Sequence, residues 1–230
     1  MIDSPSERLK SALRLYLLAD TGLVPPERLR EFVAAALQGG VTCVQLRAKG
    51  ATTLEQIDLS RELLRVCRAV DVPFVVNDRV DVALAAGADG AHVGHQGEED
   101  MLPADARRLL GQTAILGVSV GSAEEARSAE AAGAGYVSAG PMFATRTKHN
   151  AGPGAGEPLL RAVRAASSLP VVVIGGITAE SVAALYAAGA DGVCVGSAIL
   201  QAPDPAEAAR AFRRADPDKC SDKGRTGRVW

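Results

Sequence analysis

A closed (β/α)₈ barrel is the fold this sequence predicts, and three observations point to it. Short apolar segments alternate eight times with segments of helical character along the 230 residues. The short segments are apolar at successive positions, as parallel strands buried between an inner core and an outer helical layer must be. Three near-copies of one joint, Ala86-Gly-Ala-Asp-Gly90, Ala132-Gly-Ala-Gly135 and Ala188-Gly-Ala-Asp-Gly192, each tie a helix end to a strand. Their uneven spacing marks a repeated β/α unit rather than a solenoid. Eight such units favour a closed barrel over an open doubly wound sheet. The expected organisation is one catalytic barrel domain over residues 1–215 and a polar, aperiodic, disordered tail over residues 216–230.

Taken in order, the first strand is expected at residues 13–19. Pro25-Pro26-Glu27 opens a helix that Gly39-Gly40 ends. A second strand covers 41–46. Thr53-Leu-Glu-Gln56 has a capping-box pattern, and Leu54, Ile57, Leu64 and Cys67 behind it share one helical face. Strand three is 74–76, a short helix runs 79–86 to Gly87, and strand four is 91–93. A helix over 103–110 leads to strand five at 114–118. Ser122-Ala-Glu-Glu125 caps a helix that closes at Gly133, and strand six lies around 136–139. Helix 157–167, strand 171–174, helix 178–188 and strand 192–195 follow. Asp204-Pro-Ala-Glu207 forms another box, with proline at the first helical position.

Composition excludes several functions. The chain is 47% apolar, enough for a large core, and its net charge of −2 argues against a general nucleic-acid binder. No apolar run approaches the ~20 residues that span a bilayer. Residues 1–10 are polar with both charge signs and do not read as a secretory signal. The cysteines show no metal-type pairing; Cys43 and Cys194 sit in apolar runs as small core residues, which suits the cytoplasm. A homo-oligomer is left open.

Chemistry in such a barrel sits at the C-terminal ends of the strands. Polar groups follow nearly every one. Gln45, Arg47 and Lys49 alternate after strand two, so an extended chain puts all three on one side. Asn77 and Asp78 follow strand three, His92 and the acidic Glu98-Glu-Asp100 strand four, and Ser119 strand five. After strand six comes Ala139-Gly-Pro-Met-Phe-Ala-Thr-Arg-Thr-Lys148, a loop dense in phosphate-binding groups. Gly175-Gly176 and Gly196-Ser197 follow strands seven and eight. Each has a plainer explanation. Asn77-Asp78 could cap a helix, the glycines could be tight turns, the acidic and basic loops could be solvated, and the His92/His95 spacing suits a hydrogen-bonded histidine better than a metal ligand. Their shared rim favours function.

Two sub-sites separate by chemistry. Gly176, Gly196 and Ser197 lie where this fold usually holds a phosphate monoester, with Thr145 and Thr147 able to complete the site. Across the mouth, the cations Arg47, Lys49 and Lys148 mix with the carboxylates Asp78 and Asp100. That mixture suits a diphosphate bridged by Mg²⁺, which is typically held by one or two carboxylates plus substrate phosphates.

These residues resemble the thiamine-phosphate synthase (thiamine-phosphate pyrophosphorylase) family over about residues 15–212. The matching motifs are Gln45-x-Arg-x-Lys49, Asn77-Asp-Arg-x-Asp81 with Ala88-Asp-Gly-Ala-His92, Gly117-Val-Ser119, Gly140-Pro with Thr145-x-Thr-Lys148, Ile174-Gly-Gly-Ile177, and Gly189-Ala-Asp-Gly192 with Ser197-Ala-Ile199. The glycine motifs are individually weak; joined to Asn-Asp and Thr-x-Thr-Lys they are specific. The resemblance implies that the chain joins hydroxymethylpyrimidine diphosphate to a thiazole phosphate, giving thiamine phosphate and pyrophosphate. It assigns residues 45–49, Asn77, Ser119 and Lys148 to the pyrimidine diphosphate, with Arg47, Lys49, Ser119 and Lys148 as the catalytic set. It assigns Asp78 and Asp100 to Mg²⁺, and Thr145, Arg146, Thr147, Gly176, Gly196 and Ser197 to the thiazole phosphate.

The sequence departs from the family pattern in places. Ala48 replaces the usual acidic residue, and Gly121 stands where the family has histidine. The Gly-Gln-x-Asp turn is expanded to Gly94-His-Gln-Gly-Glu-Glu-Asp100, so Glu98 or Glu99 competes with Asp100 as the second metal ligand. The rival readings are the related thiazole tautomerase, which Lys49, Asp78 and Lys148 count against, and a catalytically silent phosphate-binding barrel.

Overall fold

The computed structural model describes residues 4–94, 101–144 and 154–217. Eight parallel strands, β1 (Leu15–Asp20), β2 (Cys43–Arg47), β3 (Phe74–Asn77), β4 (Gly90–Val93), β5 (Ile115–Val120), β6 (Tyr136–Ala139), β7 (Val171–Ile174) and β8 (Gly192–Val195), pair in sequence order. β8 pairs back onto β1, with Leu17 opposite Val195, and closes the predicted barrel.

Side chains alternate across the barrel wall because strand residues point to opposite faces in turn. Along β1, Leu15, Leu17 and Ala19 pack outward into the large core under the helices, while Tyr16 and Leu18 join the inner cluster. Cys43, Val75, Ile115, Tyr136, Val172 and Cys194 fill the rest of that inner cluster. Cys43, Cys67 and Cys194 are buried free thiols, as expected of small core residues, and burial pushes the Cys43 thiol up.

The outer layer is α1 (Pro5–Ala12), α2 (Pro26–Gln38), α3 (Thr53–Arg68), α4 (Val80–Ala86), α5 (Pro103–Leu110), α6 (Ala123–Ala131), α7 (Gly156–Ala166), α8 (Val182–Ala187), α9 (Ser197–Leu200) and α10 (Pro205–Ala215). Two of these are absent from the sequence reading. α1 lies in the polar start of the chain. A full capping box between Ser4 and Glu7 holds it, and it brings Leu9 and the fully buried Leu13 against the inner cluster. α9 is a single turn directly after β8, too short to show a period.

Other differences are local. The box that starts α3 is Thr52 with Glu55, one residue earlier than expected, because the Thr52 hydroxyl accepts from the Glu55 amide and the Glu55 carboxylate accepts from the Thr52 amide. Leu54 is consequently 67% exposed, and Leu63 joins Leu64 and Cys67 on the buried face instead. Asp204 caps α10 by accepting from Ala206 and Glu207, but Glu207 turns away to Arg210 and Arg214, so that box is only half made. The expected helix 178–188 begins as a 3₁₀ turn, Ala179–Ser181. Asp216, assigned to a disordered tail, is buried and ion-paired with Arg14 and Arg213.

Candidate active site

The strand ends open into a cavity of about 440 Å³ lined by residues from every strand or the turn after it. The inward register of β1 and β2 delivers Asp20, Gln45 and Arg47 to it, and Lys49 continues the same side. Gln45, Arg47 and Ser119 therefore sit on strands rather than after them, since β2 runs to Arg47 and β5 to Val120. Asn77, Asp78, Ser119, Gly176, Gly196 and Ser197 also line the cavity, as the sequence reading expects. Thr145, Arg146, Thr147, Lys148, His95, Glu98, Glu99 and Asp100 lie outside the described residues.

One wall is charged. Asp20, 2% exposed, accepts a 2.7 Å charged hydrogen bond from Arg47 Nη1 and also accepts from the Gly22 amide. This buried carboxylate fixes the Arg47 fork. Lys49 Nζ stands 3.9 Å from the Asp78 carboxylate, with 56% of the Lys49 side chain exposed. A pair so long and so wet contributes less than about 1 kcal/mol, so it does not hold Lys49 in place.

Asp78 has φ +62°, in the left-handed region where non-glycine residues are uncommon and cluster at functional sites. Its amide donates to the His92 carbonyl at 2.7 Å, which ties this turn to β4. Asn77-Asp78 does not cap the next helix: the N-cap of α4 is Arg79, with no side-chain cap bond. That plainer explanation is removed.

A second wall, after β7 and β8, is built largely from backbone. Gly175 and Gly176, at φ +100° and +65°, are pressed against the chain after β6. A Cβ on Gly176 would stand 2.6 Å from the Ala144 carbonyl oxygen, and one on Gly175 2.6 Å from Pro141 Cβ. Side chains are excluded there, which leaves peptide groups to face the cavity. Gly196 and Ser197 extend this wall from β8 into α9.

The floor joins Gln45, His92 and Ser119 through two tyrosines, Tyr16 and Tyr136, that the sequence reading overlooked. Gln45 Nε2 donates to the Tyr16 hydroxyl at 2.7 Å, Tyr16 and Tyr136 hydroxyls meet at 2.8 Å, and Tyr136 meets His92 Nδ1 at 2.9 Å. His92 Nε2 meets Ser119 Oγ at 2.9 Å. Both imidazole nitrogens are thus used in hydrogen bonds, as the histidine's place on a strand suggested. Burial pushes the His92 pKa down to about 4, so the ring is neutral near pH 7. Asp20, Tyr16 and Tyr136 share an inward period-two register with predicted residues, and that register was the signal available for them. Glu125 also lines the cavity and accepts from the Gly121 amide at 2.7 Å, beside the position where the family histidine would stand.

The charge balance bears on a metal. Among the described lining residues, Asp20, Asp78 and Glu125 oppose Arg47 and Lys49, three carboxylates against two cations. Asp20 is already committed to Arg47. Asp78 fits a divalent ion shared with a phosphate, because Mg²⁺ needs only one or two protein carboxylates in that role. No helix among the described residues is long and apolar enough to cross a membrane.

A profile of the family described as thiamine monophosphate synthase matches residues 15–199, all eight strands included. The chain belongs to that family. Its activity is thiamine-phosphate synthesis, a transferase reaction of thiamine biosynthesis. It is 46% identical over 199 residues to the thiamine-phosphate synthase of Moorella thermoacetica, covering 86% of this chain and 93% of that one. It is 46% identical over 201 residues to the enzyme of Methanoregula boonei, covering 87% and 92%. The thiamine phosphate pyrophosphorylase structure from Pyrococcus furiosus superposes with a TM-score of 0.81 at 38% identity, covering 90% and 96%. Family membership and the two-walled cavity agree, and both count against a silent barrel.

Proposed function

We propose that the two walls of the cavity divide the two substrates of thiamine-phosphate synthesis between them. Gln45, Arg47, Lys49, Asn77, Ser119 and Lys148 hold hydroxymethylpyrimidine diphosphate. Asp78, with Asp100, would hold Mg²⁺, which when bound would supply positive charge to offset that of the diphosphate leaving group. Thr145, Arg146, Thr147, Gly176, Gly196 and Ser197 hold the thiazole phosphate. The observation that carries this reading is the split itself. Arg47, Lys49 and Asp78 lie on and after β2 and β3, and the Gly175-Gly176 turn follows β7, which stands across the closed barrel from β3, with Gly196-Ser197 after β8 beside it.

The chemistry follows from that arrangement. The aminopyrimidine stabilises positive charge on its exocyclic carbon, so the C–O bond can break with both electrons leaving on pyrophosphate. The thiazole nitrogen then forms the new C–N bond with its lone pair. Arg47, Lys49 and Lys148 stabilise the departing charge. The cavity walls keep the two reactants adjacent and water away. No side-chain nucleophile is needed. Soluble small-molecule substrates and a cytoplasmic setting suit this reading.

Calorimetric titration with a non-hydrolysable pyrimidine diphosphate analogue tests it. Asn tolerates the left-handed backbone of Asp78, so Asp78→Asn removes charge without adding strain. The wild type should bind the analogue only with Mg²⁺, and Asp78→Asn should lose that dependence together with turnover. Mg²⁺-dependent binding that survives in Asp78→Asn would overturn the assignment.

A further inference from the structure

Beneath the cavity, five side chains form one continuous hydrogen-bonded line: Gln45, Tyr16, Tyr136, His92 and Ser119. All but Ser119 are at most 5% exposed. Space for the line is built in. Gly117 sits opposite His92 on one side and Tyr136 on the other, and a Cβ there would lie 2.1 Å from Tyr136 Cζ and 2.4 Å from His92 Nδ1. The His92 and Tyr136 rings lie 5.5 Å apart, and the two tyrosines meet edge-on at 5.9 Å.

Each hydroxyl in this line has one proton and can accept two, so the arrangement that spends every hydroxyl proton within the line runs head to tail from Gln45. The Gln45 amide N–H donates to Tyr16. In that head-to-tail arrangement Tyr16 donates to Tyr136, and Tyr136 to His92 Nδ1. A neutral imidazole that accepts at Nδ1 carries its proton on Nε2. Nε2–H therefore donates to Ser119 Oγ. With that lone pair taken, the Ser119 proton is free to point into the cavity, where Ser119 is exposed.

We propose that Gln45, Tyr16, Tyr136 and His92 are positioning residues that polarise Ser119 as a hydrogen-bond donor, so that it selects a pyrimidine diphosphate presenting an acceptor at that point. This rests on Ser119 facing the pyrimidine diphosphate. A substrate analogue that places an N–H donor there must turn the Ser119 proton away to reach the remaining lone pair and binds more weakly, because a site built for one hydrogen-bond pattern discriminates against its reverse.

Two measurements test this. The first is a long-range ¹H–¹⁵N spectrum of the full-length wild type at neutral pH, with the His92 signals assigned by their loss in His92→Gln. The expected result is a protonated Nε2 with an unprotonated Nδ1. An Nδ1–H tautomer or an imidazolium overturns the inference, whatever the activity. The second is a double-mutant cycle with Tyr136→Phe and Ser119→Ala. Tyr136→Phe should lower kcat/KM for the pyrimidine diphosphate about tenfold, and change KM for the thiazole phosphate less than twofold. In the Ser119→Ala background the same substitution should change kcat/KM less than twofold. Equal losses in both backgrounds overturn the inference by showing that Tyr136 does not act through Ser119. The wild-type spectrum keeps the test decisive if Tyr136→Phe folds poorly. Failure of the proposed function would appear separately, as a wild type that makes no thiamine phosphate.

Discussion

Asp20 decides where Arg47 points. Its carboxylate is buried at the end of β1 and accepts from the Arg47 guanidinium, so the fork is aimed before any ligand arrives. Preorganisation of this kind avoids an ordering cost on binding. Asp20→Ala should raise KM for the pyrimidine diphosphate about tenfold, or ~1.4 kcal/mol, and lower stability by ~1–3 kcal/mol through the lost charged hydrogen bond. Asp20→Asn keeps an acceptor for the Gly22 amide and should fall between. Steady-state kinetics for both substrates and a denaturant titration check this; a change confined to the thiazole phosphate would contradict it. Lys148 was singled out from sequence, and Lys148→Ala should lower kcat by ~10²–10³-fold with a smaller change in KM, as loss of one donor to developing charge does. An unchanged single-turnover rate with saturating substrates would show that it does not stabilise the leaving group.

β5 shows what a strand contributes beyond its own burial. It pairs with β4 and β6 so that Gly117 lies between His92 and Tyr136, and Ser119 lies two residues further on the same face. Gly117→Ala would drive a methyl group into both rings. Overpacking of this kind should cost ~2–3 kcal/mol, or roughly 4–12 °C in Tm for a chain of this size. A calorimetric scan measures it, and an unchanged Tm would mean that the rings are not packed as described. The same strand marks the limit of reading from sequence. Its apolar run and its Gly-Val-Ser motif were visible, and so was Ser119 as a site residue. Gly117 as the opening for two rings was not, because that role depends on which strands lie beside it. Likewise Gln45, Arg47 and Lys49 were legible from their alternation, but Asp20 fell one residue past the apolar run 13–19 read as strand one and was passed over, although β1 runs to Asp20. α1 was missed because its buried side comes down to Leu9, Ala12 and Leu13, too few positions to show a period within a polar segment.

The closed barrel gives the two walls their relation. Sequential pairing from β1 to β8 sets β3 across the barrel from β7, so the Asp78 turn and the Gly175-Gly176 turn face each other over one cavity, with Gly196-Ser197 after β8 beside the latter. The order of elements was readable because each β/α unit repeats the same local pattern, and because parallel strands covered on both faces need no polar alternation. Which polar groups converge was readable only through the general rule that function gathers at the strand ends. The most direct measurement incubates the purified chain with hydroxymethylpyrimidine diphosphate, hydroxyethylthiazole phosphate and Mg²⁺, and follows thiamine phosphate and pyrophosphate together. Equal amounts of both products, dependent on Mg²⁺ and abolished in Asp78→Asn, are expected. Pyrophosphate released without thiamine phosphate, or no reaction with both substrates bound, would contradict the division of one cavity between two substrates.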